Sequence, residues 1–285
     1  MRLVWTTDPH LNHAPVRAFE QWIDELNQPH HRGLILTGDI SEGDDVVFEL
    51  LRIAERIPLP ILFVLGNHDF YDSSIASTRR RVIDVCAHHP QLHYLTDRSP
   101  IDLVEMESAL TPGTVFLIGE DGWGDASTGN YDRSPVRLND FRWIQDFRDA
   151  EPDQWKAMLL EQGRQSALRL EEKLSRLPPT ASHVMVATHV PPFQQACWYE
   201  GRTTDEFWAP FFVCGQVGDV VTRFAESRPH CYVTVLCGHT HHEGVACVDR
   251  NLIVHTGAAQ YGRPAIEGFV TADSDQLYVT RRLET

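Results

Sequence analysis

Apolar runs that stop abruptly in polar clusters set the rhythm of this chain. Ile61, Leu62, Phe63, Val64 and Leu65 empty straight into Gly-Asn-His-Asp. A short apolar run bounded by polar residues reads as a buried strand. The same pattern recurs in Leu3 to Trp5 before "TTDPHL", in "GLILTGD", in "HVMVATH" and in "YVTVLCGHTHH". Between the early runs the period changes. Val16, Phe19, Trp22, Ile23 and Leu26 fall at helical spacing, as do Val46, Val47, Leu50, Leu51 and Ala54. Val82, Ile83 and Cys86 predict a third helix before His88. Alternating strands and helices predict a mostly parallel arrangement in the first ninety or so residues.

The middle of the chain behaves differently. From Glu120 to about Pro152 it is rich in Gly, Asp, Asn, Arg and aromatics, and no period is sustained. A long irregular segment of this kind is usually functional or mobile. A helix is expected next, over about 154–177, with Leu170, Leu174 and Leu177 on one face and Pro178 and Pro179 as its stop. Near the end, "VACVDRNLIVHTG" and "GFVTADSDQLYVTRR" predict two hairpins with polar turns. There is no internal repeat. The expectation is one domain over residues 1–285, with an insert at about 120–153 and a substrate-side loop at about 191–218.

Composition narrows the class. A chain of 285 residues, 42% hydrophobic and 23% charged, can bury a core. A net charge of −15 argues against a nucleic-acid polymer or an anionic membrane as partner. It leaves a small anionic substrate open, because a metal site can invert the local field. The six cysteines form no Cys-x-x-Cys pair and read as reduced residues. "MRLVWTTDPHLNH" carries no signal-peptide pattern, and no apolar run reaches membrane-spanning length. A soluble, cytoplasmic protein is expected, its oligomeric state left open.

The chemistry sits where the apolar runs end. One run leads to Asp8 and His10, the next to Asp39, the third to Asn67, His68 and Asp69. Later runs lead to His189 and to His239 and His241. In α/β sheets, ligands bind beyond the carboxyl ends of strands, so five ends can share one crevice. Carboxylate, imidazole and amide oxygen make a hard-to-borderline ligand set. It is too large for one four-coordinate ion. A single carboxylate can bridge two ions ~3.5–4 Å apart. Gly38, Gly66 and Gly238 precede ligands or their neighbours and allow sharp turns and close packing.

The ordered set D-x-H, G-D, G-N-H-D, a lone His and G-H-x-H, from Asp8 to His241, resembles the calcineurin-like metallophosphoesterase family. That resemblance implies an α/β fold, a four-layer α/β/β/α sandwich with two mixed β-sheets and the metal site at the strand C-terminal edge. It implies that Asp8, His10 and His241 bind one divalent ion, that Asn67, His189 and His239 bind another, and that Asp39 bridges them. It makes His68 a catalytic residue facing the substrate, with Asp69 orienting it. Manganese, iron or zinc suits such ligands better than calcium or magnesium.

The reaction implied is phosphoester hydrolysis, with a metal-activated hydroxide attacking phosphorus in line with the leaving oxygen. Protonated His68 would stabilise the phosphoryl charge and protonate the leaving alkoxide. The substrate would be a small phosphodiester or phosphomonoester. Arg202 and His255 are the candidate substrate contacts. Arg202 sits among aromatics after His189, and His255 ends an apolar run before a Gly-Ala loop. Two other readings stand beside this one. One is a catalytically silent scaffold on the same fold, which has no reason to keep His68. The other is a metal-dependent hydrolase of another bond.

Overall fold

The computed structural model describes residues 1–103, 114–272 and 276–282. The first strand-helix alternation is as expected. β1 (Arg2–Thr6), α1 (Val16–Leu26), β2 (Gly33–Thr37), α2 (Asp45–Arg56), β3 (Ile61–Val64) and α3 (Ile75–His88) follow one another. Two short strands, β4 (Leu92–Tyr94) and β5 (Ile101–Asp102), and then β6 (Val115–Glu120) complete the first half. The insert holds a short 3-10 turn (Tyr131–Arg133) and two four-residue helices, α4 (Asp140–Trp143) and α5 (Gln145–Arg148). α6 (Trp155–Ser175) and β7 (His183–Thr188) come next. They are followed by the small strands β8 (Trp198–Tyr199) and β9 (Arg202–Thr203), then α7 (Ala209–Phe212) and α8 (Gly215–Ser227). β10 (Tyr232–Cys237), β11 (Gly244–Asp249), β12 (Leu252–Thr256), β13 (Gly268–Ala272) and β14 (Leu277–Arg281) end the chain.

Two six-stranded sheets result. One runs β14-β13-β1-β2-β3-β4, the other β11-β12-β10-β7-β6-β5. β1, β2, β3 and β4 pair in parallel, and so do β6, β7, β10 and β12. The predicted hairpins are β11–β12 and β13–β14, both antiparallel, and each extends a different sheet. The polar turn of the second hairpin, 273–275, lies outside the described residues.

Side-chain alternation along each strand builds the layers. Leu3, Trp5, Ile35, Leu62 and Val64 of the first sheet meet Leu117, Met185, Ala187 and Leu236 of the second in one buried cluster. Val4, Leu34, Leu36 and Phe63 face the other way, onto Phe19, Trp22, Leu50, Ile53 and Val82 of the first three helices. Val184, Val186, Val233 and Val235 likewise meet Leu170, Leu174, Val217, Val221 and Phe224 of α6 and α8. This is a mixed α/β fold, and its layers fit the expected helix–sheet–sheet–helix sandwich.

Two expectations change in detail. α8 begins at Gly215, inside the loop assigned to 191–218, so that loop ends at Cys214. The insert begins after Glu120, which closes β6. α8 was legible: Val217, Val220, Val221, Phe224 and Ala225 keep helical spacing and are all buried. Its two glycines, Gly215 and Gly218, weaken the helical signal. Among the described residues, no helix is long and apolar enough to cross a membrane.

Candidate metal centre

The strand ends converge as the sequence predicted. Asp8, His10, Asp39 and His241 form one cluster, and Asp39, His189 and His239 form another. Within each, the candidate ligand atoms lie within 4.8 Å of one another. Asp39 belongs to both. Its Oδ2 is 3.7 Å from His10 Nε2, and its Oδ1 is 3.5 Å from His189 Nε2. Asn67 Oδ1 joins the second cluster, 3.1 Å from His189 Nε2.

Backbone conformation makes this crowding feasible. Asp8, His10, Asp39, His239 and His241 all have positive φ, between 40° and 69°. Such residues persist only where their surroundings over-determine them, and they gather at functional sites. Two glycines supply the remaining room. A Cβ on Gly66 would sit 2.2 Å from Asp39 Oδ1, and one on Gly238 would sit 2.0 Å from Asp8 Oδ2.

The hydrogen bonds decide which atom of each side chain faces inward. His189 Nδ1 is 2.9 Å from the Thr37 carbonyl, to which it donates, which turns Nε2 toward the centre. His239 Nε2 is 3.2 Å from the Phe211 carbonyl, which turns Nδ1 toward the centre. These two inward nitrogens lie 3.1 Å apart, as do His10 Nε2 and His241 Nε2. Outer partners of this kind fix tautomer and ring orientation for metal-ligating histidines. Nitrogens this close either share one proton or straddle a cation, and here carboxylates and the Asn67 oxygen stand beside them. The donor set therefore fits divalent ions.

The electrostatics divide the histidines into two pairs. Burial pushes the Asp8 carboxyl up, but the His241 hydrogen bond and the charges of His189, His241 and His10 hold it well below the usual range. Asp39 is also held low, as His189, His68 and His10 outweigh its burial. Burial pushes His10 down to about 4, and burial with the His189 charge pushes His239 down to about 3. Both are thus neutral at pH 7. At His189 and His241 burial is outweighed by the neighbouring Asp8 and Asp39 carboxylates and the pKa is raised, so a cation there would displace protons.

His68 stands at the rim, its side chain 18% exposed. It lines a cavity of about 1000 Å³ that also reaches Asp39, Asn67, His239 and His241. Its ring stacks on Tyr71, with centroids 4.4 Å apart. Asp69, expected to orient His68, makes its described hydrogen bonds elsewhere. Asp69 is fully buried and accepts from the backbone of Ser41 at 3.0 Å and of Gly66 at 2.8 Å. It ties the loop after β2 to the loop after β3. The carboxylate beside His68 is instead Glu42, whose Oε1 lies 3.5 Å from His68 Nδ1. Glu42 follows Asp39 by three residues, a spacing that sequence reasoning passed over.

The two candidate substrate contacts separate. Arg202 lines the cavity from the β8–β9 hairpin, together with Trp198, Tyr199 and Trp208. His255 is not among the lining residues. It is 8% exposed, and burial with the nearby Arg281 charge pushes it down to about 4. A run that ends in His at a strand terminus looked like the ligand-bearing runs, but β12 still includes His255 and Thr256. Trp123, in the insert, packs against Phe70 and Phe147 and serves the core.

No curated protein sequence matches the chain. Among the solved structures that share its fold are two that cover nearly all of the chain. One is a phosphopantetheinyl hydrolase from Mycobacterium tuberculosis, with TM-score 0.66 and 16% identity over 92% of this chain and 90% of that one. The other is a dimetal phosphatase from Danio rerio, with TM-score 0.60 and 12% identity over 99% and 96%. At such identities the likeness speaks to fold alone. The ordered motifs are tested by a family model instead, which matches residues 1–243 and so takes in every strand-end residue of the centre. The chain belongs to the calcineurin-like phosphoesterase family.

Proposed function

We propose that this protein is a metal-dependent hydrolase of a small phosphodiester, with Asp39 as the ligand shared by two divalent ions. The observation that carries this reading is Asp39 itself, a carboxylate common to two ligand clusters and open to a large cavity. Asp8, His10 and His241 would hold one ion, and Asn67, His189 and His239 the other. Manganese, iron and zinc all suit this donor set. Such ions, when bound, offset phosphoryl charge and lower the pKa of water from ~15.7 towards ~7.

The chain's own groups do the rest. His68 at the rim donates a proton to the leaving oxygen and stabilises charge on the phosphoryl group. Glu42 favours the ring orientation that presents the opposite nitrogen to the substrate. Trp198, Tyr199 and Trp208 offer flat apolar surface to a ring on the substrate, and Arg202 offers a forked donor to a second anionic group. A cavity of about 1000 Å³ is at the upper end for small-molecule sites, so it takes more than a bare phosphate. This supports a diester over a small monoester.

The test is hydrolysis of bis-p-nitrophenyl phosphate and of p-nitrophenyl phosphate, with manganese and then with chelator. Chelator-sensitive turnover that favours the diester is expected. A strong monoester preference would reverse the substrate reading. Tight metal binding without turnover on any phosphoester would favour the scaffold.

A further inference from the structure

The candidate ligands all come from strand ends, but one of them is steered from the insert. The Asn67 side-chain amide donates through Nδ2 to Asp140 Oδ1 at 2.9 Å. The Tyr71 hydroxyl donates to the same oxygen, also at 2.9 Å. Asp140 is 4% exposed and opens α4, far from Asn67 in sequence.

An amide has two unlike ends, and the Asp140 oxygen that meets it is an acceptor, since it also takes the Tyr71 hydroxyl proton. Asp140 therefore takes the NH₂ end, which leaves Oδ1 to face His189 Nε2. The reversed amide would set oxygen against carboxylate and present N–H groups to the centre, where they could not ligate a cation. The carboxylate is held in place as well. Asp72 N donates to the Trp143 carbonyl at 2.8 Å, Gln145 N to the Ser73 carbonyl at 2.9 Å, and Ile75 N to Asp146 Oδ2 at 2.8 Å. The insert is thus pinned to the segment that directly follows Gly-Asn-His-Asp.

We infer that Asp140 is a positioning residue of the metal centre, which fixes Asn67 with its oxygen toward the ion held with His189 and His239. The insert then serves the centre itself as well as the cavity wall. This rests on the reading of Asn67 as a ligand.

The experiment is calorimetric titration of chelator-stripped protein with manganese, with thermal melting of each metal-free variant to check folding. The wild-type protein should bind two ions. Asp140→Ala should bind one of them unchanged and the other about 10- to 100-fold more weakly. Asp140→Asn, which keeps an acceptor oxygen at the same place, should restore most of that affinity. A merely structural role would not be rescued in this ion-selective way. Asp140→Ala that binds both ions as tightly as wild type, while Asn67→Ala loses one, overturns the inference alone. Asn67→Ala that binds both ions normally removes the ligand reading, and the inference falls with it. If Asp140→Ala does not fold, Asp140→Gln displaces the acceptor by one methylene. Weakening of one ion is again expected, and wild-type affinity for both refutes the role.

Discussion

The strand-end loops and the β8–β9 hairpin face each other across one cavity, and they are built on opposite principles. The loops are buried, bent into left-handed backbone and locked by hydrogen bonds to neighbouring loops. Asp8, for one, is 2% exposed and accepts from the His239 backbone at 3.0 Å. The hairpin is short and open. Tyr199 is 60% exposed and Trp208, just beyond it, 46% exposed. A site of charged and imidazole groups needs fixed geometry, because misplaced ligands lose affinity steeply. A wall that contacts the rest of a substrate needs only shape and surface. On the proposed function, reaction and selectivity are held by separate parts of this chain and should fail separately.

The sharpest break is at the shared ligand. Asp39→Asn should cost more than about 10⁴-fold in turnover, beyond what one acid–base group supplies. Elemental analysis should show both ions weakened. If only one is affected, Asp39 does not bridge. The next largest effect is at the rim of the loops. His68→Ala should lose about 10²- to 10⁴-fold in kcat and keep its metal. Glu42→Gln should fall between that variant and wild type. Metal lost together with activity would make His68 a ligand.

Changes in the hairpin should act on KM. Trp208→Ala and Arg202→Ala should each raise KM for a ring-bearing diester by about 10-fold, the scale of one stacking or polar contact. Metal content and kcat should hold. A matching fall in kcat would mean that the wall also shapes the transition state, and the separation drawn here would be lost.

The smallest expected effect lies behind both regions. His255 is pushed down to about 4, below its ordinary value near 6.5. The unfolded chain therefore gains a proton there before the native protein does. That part of the stability is present above pH 6.5 and is lost as pH falls towards 4. Metal-free His255→Gln should show a shallower fall in melting temperature over that window. An unchanged slope would mean that His255 is not held neutral by burial.

Much of this could be read before any coordinates. Apolar runs too short for a helix read as buried strands, and polar clusters at their ends then fall at a sheet edge, so Asp8, Asp39, Asn67, His189 and His239 stood out as candidates. Helical spacing gave the first three helices and α6. What failed was local analogy. His255 ends an apolar run as the candidate ligands do but stays inside β12, and Asp69 adjoins His68 in the chain but its carboxylate bonds elsewhere. Asp69 turns back to the Ser41 and Gly66 amides, and Glu42 reaches His68 from another loop.

The sequence by itself determined the candidate donor set, its order and the strand ends that carry it. Periodicity and residue chemistry are local properties that folding does not alter. Only the tertiary structure decided how the strands divide between two sheets, which nitrogen of each histidine turns inward, and that Asp140 in an aperiodic insert grips Asn67. Those outcomes depend on packing and hydrogen bonds between residues far apart in the chain, and no local pattern records them.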